Sequence, residues 1–469
     1  MNEHIAFIHP KEENKDSLQQ LFHKALDLVL NSTTTACEKR PMPELHNLFA
    51  PIEIPDAPVP ITEIFENLKA LIDTAMRPEH PGYIGHMDPP PATFSIIGDM
   101  VASFLNNNMF SFEMSPSFTV LEHKLLNLFA KLFGLPHGAG GVMLSGGTLS
   151  NLEAICLARN VKLFTHQISL ADLKSTPVLF ASSEAHTSIH KAAMVLGLGA
   201  NAVIEVPTDS FGRMDTKALQ QKITACKNEG KTPFCVVGTA GTTVTGMIDP
   251  LEKIHKIAQD EGLWMHVDAV FGGALVTSPQ YRHLLKGVEH ADSISFNPQK
   301  WLCVTKTCSM LLIRDSALLK SCFHTKLPYM TSHEEGPNIG EIALQGTRYP
   351  DILKLWLTLQ CFGLQGWSKL IDNGMRLKEQ FLKEVKKRPY LTLAATSDVN
   401  VICFKLDKDN EQNKALQKFL LDDKQIFLSL PKRGEELWLK AVLINPNIPP
   451  DLIDKLFNAI DEFVRVKVS

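Results

Sequence analysis

The chain has 469 residues, of which 44% are hydrophobic and 21% are charged, and its formal net charge is -4. This composition is typical of a globular protein, and it excludes a long disordered chain and a broadly basic surface for nucleic acid. Because the length exceeds what one hydrophobic core supports, we expect two or three packed parts.

The start of the chain lacks the features of a targeting segment. Residues 1–17, MNEHIAFIHPKEENKDS, have neither the apolar core of a secretion signal nor the Arg-rich character of a transit peptide. No apolar run approaches the length of a membrane span. The nine cysteines form no CxxC pairs, which favours a reducing compartment over a disulfide framework or a metal site. We expect a cytoplasmic protein without membrane, nucleic-acid or metal contacts.

Residues 1–78 combine two helical patterns, SLQQLFHKALDLVLN and ITEIFENLKALIDTAM, with a proline-rich segment between them. Two helices joined in this way bury little surface by themselves. We therefore predict an N-terminal helical arm that a second subunit covers in a homodimer.

From about residue 119 the pattern alternates between helices and short apolar strands. The predicted strands are GGVML, PVLFASS, AVIEVP, PFCVVG, LWMHVD, DSISF and CSMLLI. Buried strands joined by helical crossovers predict an α/β domain with a mostly parallel sheet, placed at residues 79–374. Within it, residues 322–346 have the character of a long functional loop, and a long helical pattern follows. Residues 375–469 alternate strand and helix and are predicted to form a small C-terminal α+β domain.

Polar residues follow four of the predicted strands, and ligands of parallel sheets bind at these carboxyl ends. Gly146, Gly147 and Thr148 lie between a strand and a helix, where backbone N–H groups and the helix dipole favour a phosphate, although a simple tight turn has the same composition. His186, in SSEAHTSIHKAA, follows another strand and is either a ring-stacking residue or an ordinary helix-terminal histidine.

The other two positions are an acid and an amine. Asp268 follows LWMHV directly, and a buried carboxylate needs a cationic partner. Lys300, in SFNPQKW, has the apolar surroundings that lower a lysine pKa and suit it to Schiff-base chemistry. The two side chains alone are also consistent with an internal salt bridge. Pyridoxal 5'-phosphate, however, uses all four features: a phosphate site, a stacking ring, a carboxylate and a lysine.

The motifs HVDAVFGG, ADSISFNPQKWL, SGGTLSNLEA, SSEAHTSIHKAA and NNNMFSFEMSP resemble those of the group II pyridoxal-phosphate-dependent amino acid decarboxylases. That family includes glutamate, cysteine sulfinate, aromatic amino acid and histidine decarboxylases. The resemblance runs from about residue 60 to the end and implies a fold type I dimer, similar to aspartate aminotransferase, with its active site at the subunit interface. It also implies the following roles: Lys300 bound to the cofactor aldehyde, Asp268 on the pyridine nitrogen, His186 stacked on the ring, Gly147, Thr148, Leu149 and Asn297 at the phosphate, and Thr243 beside the ring.

The resemblance further implies an amino acid α-decarboxylase in which a loop tyrosine, here Tyr329, reprotonates the substrate carbon. Tyr329 is also consistent with an aromatic anchor at a loop base. Three positions depart from the family pattern. Gln299 replaces a frequent histidine, Val270 replaces a small alanine under the ring, and Lys440 stands where the family has an arginine for the substrate carboxylate.

The substrate is the least determined feature. NNNMFSFEMSP and SGGTLSNLEA are closer to the glutamate and cysteine sulfinate branch, which favours a small polar or acidic amino acid. The pocket stretch HPGYIGHMDPPP contains Tyr83, His86 and Asp88, and an acidic Asp88 disfavours a second substrate carboxylate; the stretch is also consistent with a proline-braced surface loop. An aromatic substrate, transamination, aldehyde formation and a non-catalytic pyridoxal-phosphate-binding protein remain alternatives.

Overall fold

The computed structural model describes residues 5–44, 54–164, 168–324 and 338–467. Its helices are α1 (Lys15–Thr34), α2 (Ile61–Asp73), α3 (Thr93–Leu105), α4 (Pro116–Leu132), α5 (Gly147–Leu163), α6 (Ser188–Val195), α7 (Thr216–Asn228), α8 (Leu251–Glu261), α9 (Ala317–Phe323), α10 (Ile352–Lys386), α11 (Asn410–Lys424) and α12 (Leu452–Lys467). Among these described helices, none is long and apolar enough to cross a membrane.

The strands are β1 (Gly140–Leu144), β2 (Pro177–Ser182), β3 (Val203–Val206), β4 (Thr232–Thr239), β5 (Trp264–Asp268), β6 (Ser293–Phe296), β7 (Ser309–Ile313), β8 (Leu391–Leu393), β9 (Val401–Leu406), β10 (Lys432–Arg433), β11 (Glu436–Leu437) and β12 (Leu439–Val442).

The chain divides into two compact units, each discontinuous in sequence. Unit 1 comprises residues 1–86, 408–441 and 445–469, and unit 2 comprises residues 87–407 and 442–444. The three-part division that the sequence predicts at residues 78 and 374 stays a prediction.

Unit 2 contains a seven-stranded sheet in the order β1-β7-β6-β5-β4-β2-β3. Strands β2 to β6 pair in parallel, whereas β7 runs antiparallel to both β1 and β6. The mostly parallel α/β architecture expected from the sequence is therefore confirmed. Buried parallel strands read as continuous apolar runs because both of their faces are covered.

The two faces of this sheet carry separate cores. Because side chains alternate along a strand, Met310 and Leu312 of β7 enter one hydrophobic cluster, while Leu311 and Ile313 enter the other. The second cluster includes α5, whose Ala154, Ile155, Leu157 and Ala158 are fully buried. Helix α5 is thus fixed against the sheet directly after the turn that follows β1.

Helix α10 corresponds to the long helical pattern after residue 350, but it is interrupted inside. Gly363 has φ 56° and ψ 179°, a conformation that breaks the helix and that glycine adopts without the steric cost of a Cβ. Both halves contribute buried residues, such as Leu355 and Trp367, to the first of the two hydrophobic clusters of unit 2.

Unit 1 joins the N-terminal helices to α11, α12 and the β10–β11 hairpin. The Asn445 side-chain amide donates to the carbonyl oxygens of Pro78 (3.1 Å) and His80 (2.9 Å), and Arg40 pairs with Asp422 at 2.5 Å. These contacts tie the N-terminal segment of unit 1 to its C-terminal segments.

Candidate active site

Most of the predicted site residues of unit 2 line one cavity at the carboxyl ends of the parallel strands. The cavity encloses about 270 Å³, and its lining consists of Ser145, Gly146, Gly147, Thr148, Asn151, His186, Thr239, Gly241, Thr243, Asp268, Val270, Phe271, Asn297, Gln299 and Lys300. This position is where ligands bind in open α/β sheets.

One wall of the cavity is the turn between β1 and α5. Gly146 precedes the helix with φ 100°, and Gly147 is its first residue. A Cβ atom on Gly147 would lie 2.8 Å from Val270 Cγ2, so only glycine fits there without displacing a neighbour. The first N–H groups of a helix have no partners inside the helix, and the positive end of its dipole favours an anion. The turn is therefore a cradle suited to bind an anion such as a phosphate.

Asn297 lies beside this cradle, directly after β6. Its amide is hydrogen-bonded to Ser309 Oγ at 2.5 Å, and the Ser309 hydroxyl lies 2.7 Å from Ser150 Oγ on α5. These contacts hold the start of α5 against the ends of β6 and β7. Thr148 is exposed and Leu149 is partly buried in the same first turn.

Asp268 is the last residue of β5 and is 6% exposed. Its Oδ2 accepts a hydrogen bond from Asn151 Nδ2 at 2.9 Å, and its Oδ1 accepts one from the backbone N–H of Val270 at 3.2 Å. These two bonds fix the orientation of the Asp268 carboxylate at the cavity.

Lys300 lies in the turn after β6, with its Nζ 3.7 Å from Met87 Sδ. Burial lowers the pKa of Lys300, against the opposing influence of the Asp268 and Asp88 carboxylates. Among the described residues the amine is not ion-paired with Asp268, although the charge of that carboxylate acts on it. A lysine whose neutral form is favoured is suited to attack an aldehyde.

His186 and Thr243 lie at the cavity between these charges. His186 is exposed, its Nδ1 lies 2.8 Å from Ser188 Oγ, and partial desolvation lowers its pKa. Two departures from the family pattern also line the cavity: Val270, which is 9% exposed, and Gln299, whose Oε1 accepts from the Cys308 N–H.

The remaining predicted residues lie elsewhere in the chain. Tyr329 falls in residues 325–337, outside the described residues. In unit 1, Lys440 is buried and its backbone pairs with Ser429. Also in unit 1, Tyr83 is buried and stacks on Phe427 with centroids 5.5 Å apart, and His86 is exposed. Lys440 is only 7% exposed, so it is not a solvated surface lysine.

The sequence analysis did not identify Asn151, which lines the cavity, or His266, which is hydrogen-bonded to Asn151. Asn151 lies one helical turn after Gly147, so it returns to the same face of α5. His266 precedes Asp268 by two residues and therefore shares its face of β5. The repeat of a helix face and the alternation along a strand were the signals that could have identified Asn151 and His266.

The donor set of the cavity fits pyridoxal 5'-phosphate. A helix-start cradle suits the phosphate, a half-buried lysine suits the aldehyde, and an ionised carboxylate suits the pyridine nitrogen. The cradle has no room for a side chain at Gly147, which keeps the backbone accessible to an anion.

Comparisons with known proteins agree with this chemistry. A family model described as the pyridoxal-dependent decarboxylase conserved domain matches residues 43–407. The cysteine sulfinic acid decarboxylase of Rattus norvegicus is 34% identical over 398 residues, which cover 82% of this chain and 80% of the relative. The L-2,4-diaminobutyrate decarboxylase of Rhizobium meliloti (strain 1021) is 30% identical over 471 residues, covering 97% and 93%. The crystal structure of mouse CSAD aligns with a TM-score of 0.89 at 28% identity, covering 95% of this chain and 98% of that chain.

Proposed function

This chain belongs to the pyridoxal-dependent decarboxylase family, and we propose that it releases the α-carboxyl group of a small polar L-amino acid as carbon dioxide, leaving the amine. The observation that carries this proposal is the convergence of Lys300, Asp268, His186 and the Gly147 cradle on one cavity. Each of the four meets a different requirement of the same cofactor.

Bound pyridoxal 5'-phosphate supplies an electron sink for the pair left on the α-carbon when carbon dioxide departs. Lys300 would hold the cofactor through its aldehyde. Asp268 would keep a proton on the ring nitrogen, because a carboxylate fixed by two hydrogen bonds stabilises an adjacent positive charge. The helix start at Gly147 and the Asn297 amide would hold the phosphate, and Thr243 would lie beside the ring.

After carbon dioxide leaves, the α-carbon must receive a proton. The proposal assigns this proton to Tyr329, following the resemblance. If that proton were delivered to the cofactor instead, the product after loss of carbon dioxide would be an aldehyde rather than an amine. A keto acid would form only if the α-hydrogen, and not the carboxyl group, were removed. Product identity therefore separates decarboxylation from transamination and from aldehyde formation.

A charged pair next to the amine supports a polar substrate. Lys306 Nζ pairs with Asp88 Oδ1 at 2.5 Å, and the charges of both residues act on Lys300. Either member of a partly exposed pair can exchange its partner for a substrate group. The relatives named above act on substrates of opposite side-chain charge, a sulfinic acid and a diamino acid. Lys440 is proposed for the α-carboxylate, with Tyr83 and His86 as further substrate contacts.

The test is a substrate screen with added pyridoxal phosphate. Cysteine sulfinate, aspartate, glutamate, 2,4-diaminobutyrate, ornithine and aromatic amino acids are offered, and carbon dioxide and amine are measured together. We expect equal amounts of both from one polar substrate. Keto acid or aldehyde alone would contradict the proposal, and cofactor binding without any turnover would favour a non-catalytic binding protein.

Two variants then test whether the substrate side chain is negatively or positively charged. Turnover of an acidic substrate should fall in Lys306→Met and survive in Asp88→Asn, whereas turnover of a diamino acid should show the reverse order. Equal behaviour of the two variants on the preferred substrate would remove the charged pair from substrate selection.

We further propose a homodimer in the cytosol, with the active site at the subunit interface. On α3, Ile96, Met100 and Phe104 recur every four residues and are 49%, 52% and 47% exposed. Helix α1 exposes Phe22, Leu26 and Leu30 in the same way. Continuous apolar stripes of this kind are typical of surfaces that another subunit covers. The nine cysteines are free thiols, which supports a reducing compartment.

A further inference from the structure

A continuous set of buried hydrogen bonds connects β5 and β6 to the cavity through Asn151. The Asn151 Nδ2 donates both to Asp268 Oδ2 and to Ser188 Oγ, each at 2.9 Å. Its Oδ1 lies 3.0 Å from His266 Nε2, and His266 Nδ1 lies 2.8 Å from Ser293 Oγ. All of these side chains except Asp268 are at most 1% exposed, so water does not compete for their hydrogen bonds.

The direction of each hydrogen bond follows from the chemistry of one end. The Trp264 indole can only donate, and it donates to Ser293 Oγ at 2.8 Å. The Ser293 hydroxyl is then available to donate to His266 Nδ1. Burial lowers the pKa of His266 to about 4, which favours the neutral ring. Because Nδ1 accepts from Ser293, the single proton lies on Nε2, which faces Asn151 Oδ1 at 3.0 Å and Ser295 Oγ at 3.4 Å. That proton is donated to Asn151 Oδ1.

The orientation of the Asn151 amide is thereby fixed, with its nitrogen towards the cavity. One N–H holds the Asp268 carboxylate, and the other is donated to Ser188 Oγ. The backbone N–H of Ser188 donates to His186 Nδ1 at 3.2 Å, and the Ser188 hydroxyl lies 2.8 Å from the same atom. His186 therefore accepts at Nδ1 and keeps its proton on Nε2.

We propose that Asn151 is a positioning residue that couples the carboxylate on the ring nitrogen, Asp268, to the ring-stacking His186, and that His266 sets the orientation of its amide. The inference rests on the proposed cofactor and deepens the proposed function. A single amide donates to both branches, so the two side chains that contact the ring are held by one group. An uncharged donor does this without neutralising the charge of Asp268.

The test measures the affinity of the apoprotein for pyridoxal phosphate, in the absence of any amino acid. Asn151→Ala should bind the cofactor about 10–100-fold more weakly, the loss expected when a hydrogen bond to a charged group is removed. Asn151→Asp, which places a second carboxylate beside Asp268, should weaken binding further. The matched control is Asn160→Ala, an equally conservative change at a buried residue, 5% exposed, of the same helix α5. Its affinity should equal that of the unchanged protein.

Two His266 variants keep the test independent of the folding of the Asn151 variants. A glutamine can donate to Asn151 Oδ1 from its side-chain amide, whereas a leucine cannot. We expect His266→Gln to retain most of the cofactor affinity and His266→Leu to lose it, with an altered pH midpoint of the visible absorbance of the bound cofactor. Once the substrate is known, Asn151→Ala should lower kcat more than it changes KM, because the proposed role of Asn151 is to hold Asp268 and His186.

Unchanged cofactor affinity in both Asn151→Ala and His266→Leu would overturn the inference, and so would equal losses in Asn160→Ala. These outcomes are distinct from failure of the proposed function. A protein that binds pyridoxal phosphate with the expected order of affinities but releases no carbon dioxide would support the role of Asn151 and contradict the decarboxylase.

Discussion

Burial acts in opposite directions on the acids and bases of this protein, and the outcome depends on what each side chain contacts. Desolvation disfavours charge, so it lowers the pKa of Lys300 and of His266 and raises that of Glu153 to about 7. Asp268 is buried too, and two N–H groups donate to its carboxylate oxygens. The cavity thus combines an amine whose pKa is lowered with a carboxylate that two hydrogen bonds hold in place.

Glu153 gives a prediction about stability and pH. Its Oε2 accepts from the Leu344 N–H at 3.2 Å, and burial is the largest cause of its raised pKa. Between pH 4.5 and about 7 the folded chain keeps a proton that the unfolded chain releases, so this group's contribution to stability is present below pH 4.5 and is lost as the pH rises to about 7. The loss is about 3 kcal/mol at about 1.4 kcal/mol per pKa unit.

Urea unfolding of Glu153→Gln and of the unchanged protein at pH 5 and pH 8 measures this difference. Because glutamine does not titrate, the variant should gain free energy of unfolding relative to the unchanged protein as the pH rises. A difference between the two proteins that is the same at both pH values would contradict the assignment.

At the scale of elements, the site depends on the turn that connects strand β1 to helix α5. The turn after β1 places Gly147 against Val270 at the end of β5, and the next turn of α5 brings Asn151 to Asp268. One helix therefore supplies both the phosphate cradle and the support of the carboxylate.

The close fit of this turn predicts a compensating pair of variants. A Cβ on Gly147 would meet Val270 Cγ2 at 2.8 Å and Asn297 Nδ2 at 3.2 Å. Gly147→Ala should therefore weaken binding of pyridoxal phosphate by about tenfold, because overpacking costs about 1–3 kcal/mol. Adding Val270→Ala removes the closer contact and should restore most of the affinity. A double variant as weak as Gly147→Ala would show that the loss has another origin.

The elements were predictable from sequence because their signals are local. Apolar runs identify the strands, and residues after strand ends identify Lys300 and Asp268. An apolar run does not indicate the direction of a strand. The segment CSMLLI therefore did not distinguish β7, which is antiparallel to β6, from the parallel strands β2 to β6. The Asn151–Asp268 contact joins residues 117 positions apart, and only the packing of α5 on the sheet brings them together. The break of helix α10 at Gly363 could not be predicted either, because a single glycine is tolerated in many helices.

At the scale of the whole molecule, the chain leaves apolar stripes uncovered on α1 and α3. The stripe on α3 repeats every four residues, which is the spacing of one helix face. A face of this kind on an exposed helix needs a covering surface, and a second copy of the chain is the proposed one.

One charge introduced into the apolar stripe of α3 tests whether a second copy of the chain covers it. Met100→Asp would bury a carboxylate in the dimer, which costs several kcal/mol unless it is paired. We expect the unchanged protein to sediment as a dimer at micromolar concentration and Met100→Asp as a monomer. The control is Met194→Asp on α6, a similarly exposed methionine at 59%, which should remain dimeric. An unchanged protein that sediments as a monomer would contradict the dimer outright.

The measurement closest to the central claim compares Lys300→Ala with the unchanged protein and with Lys320→Ala, an exposed lysine of α9. Each is incubated with pyridoxal phosphate and the substrate found in the screen, and the visible absorbance of the bound cofactor is recorded with carbon dioxide release. We predict that Lys300→Ala loses both signals while Lys320→Ala keeps both. Cofactor absorbance and carbon dioxide release at the unchanged level in Lys300→Ala would contradict the account.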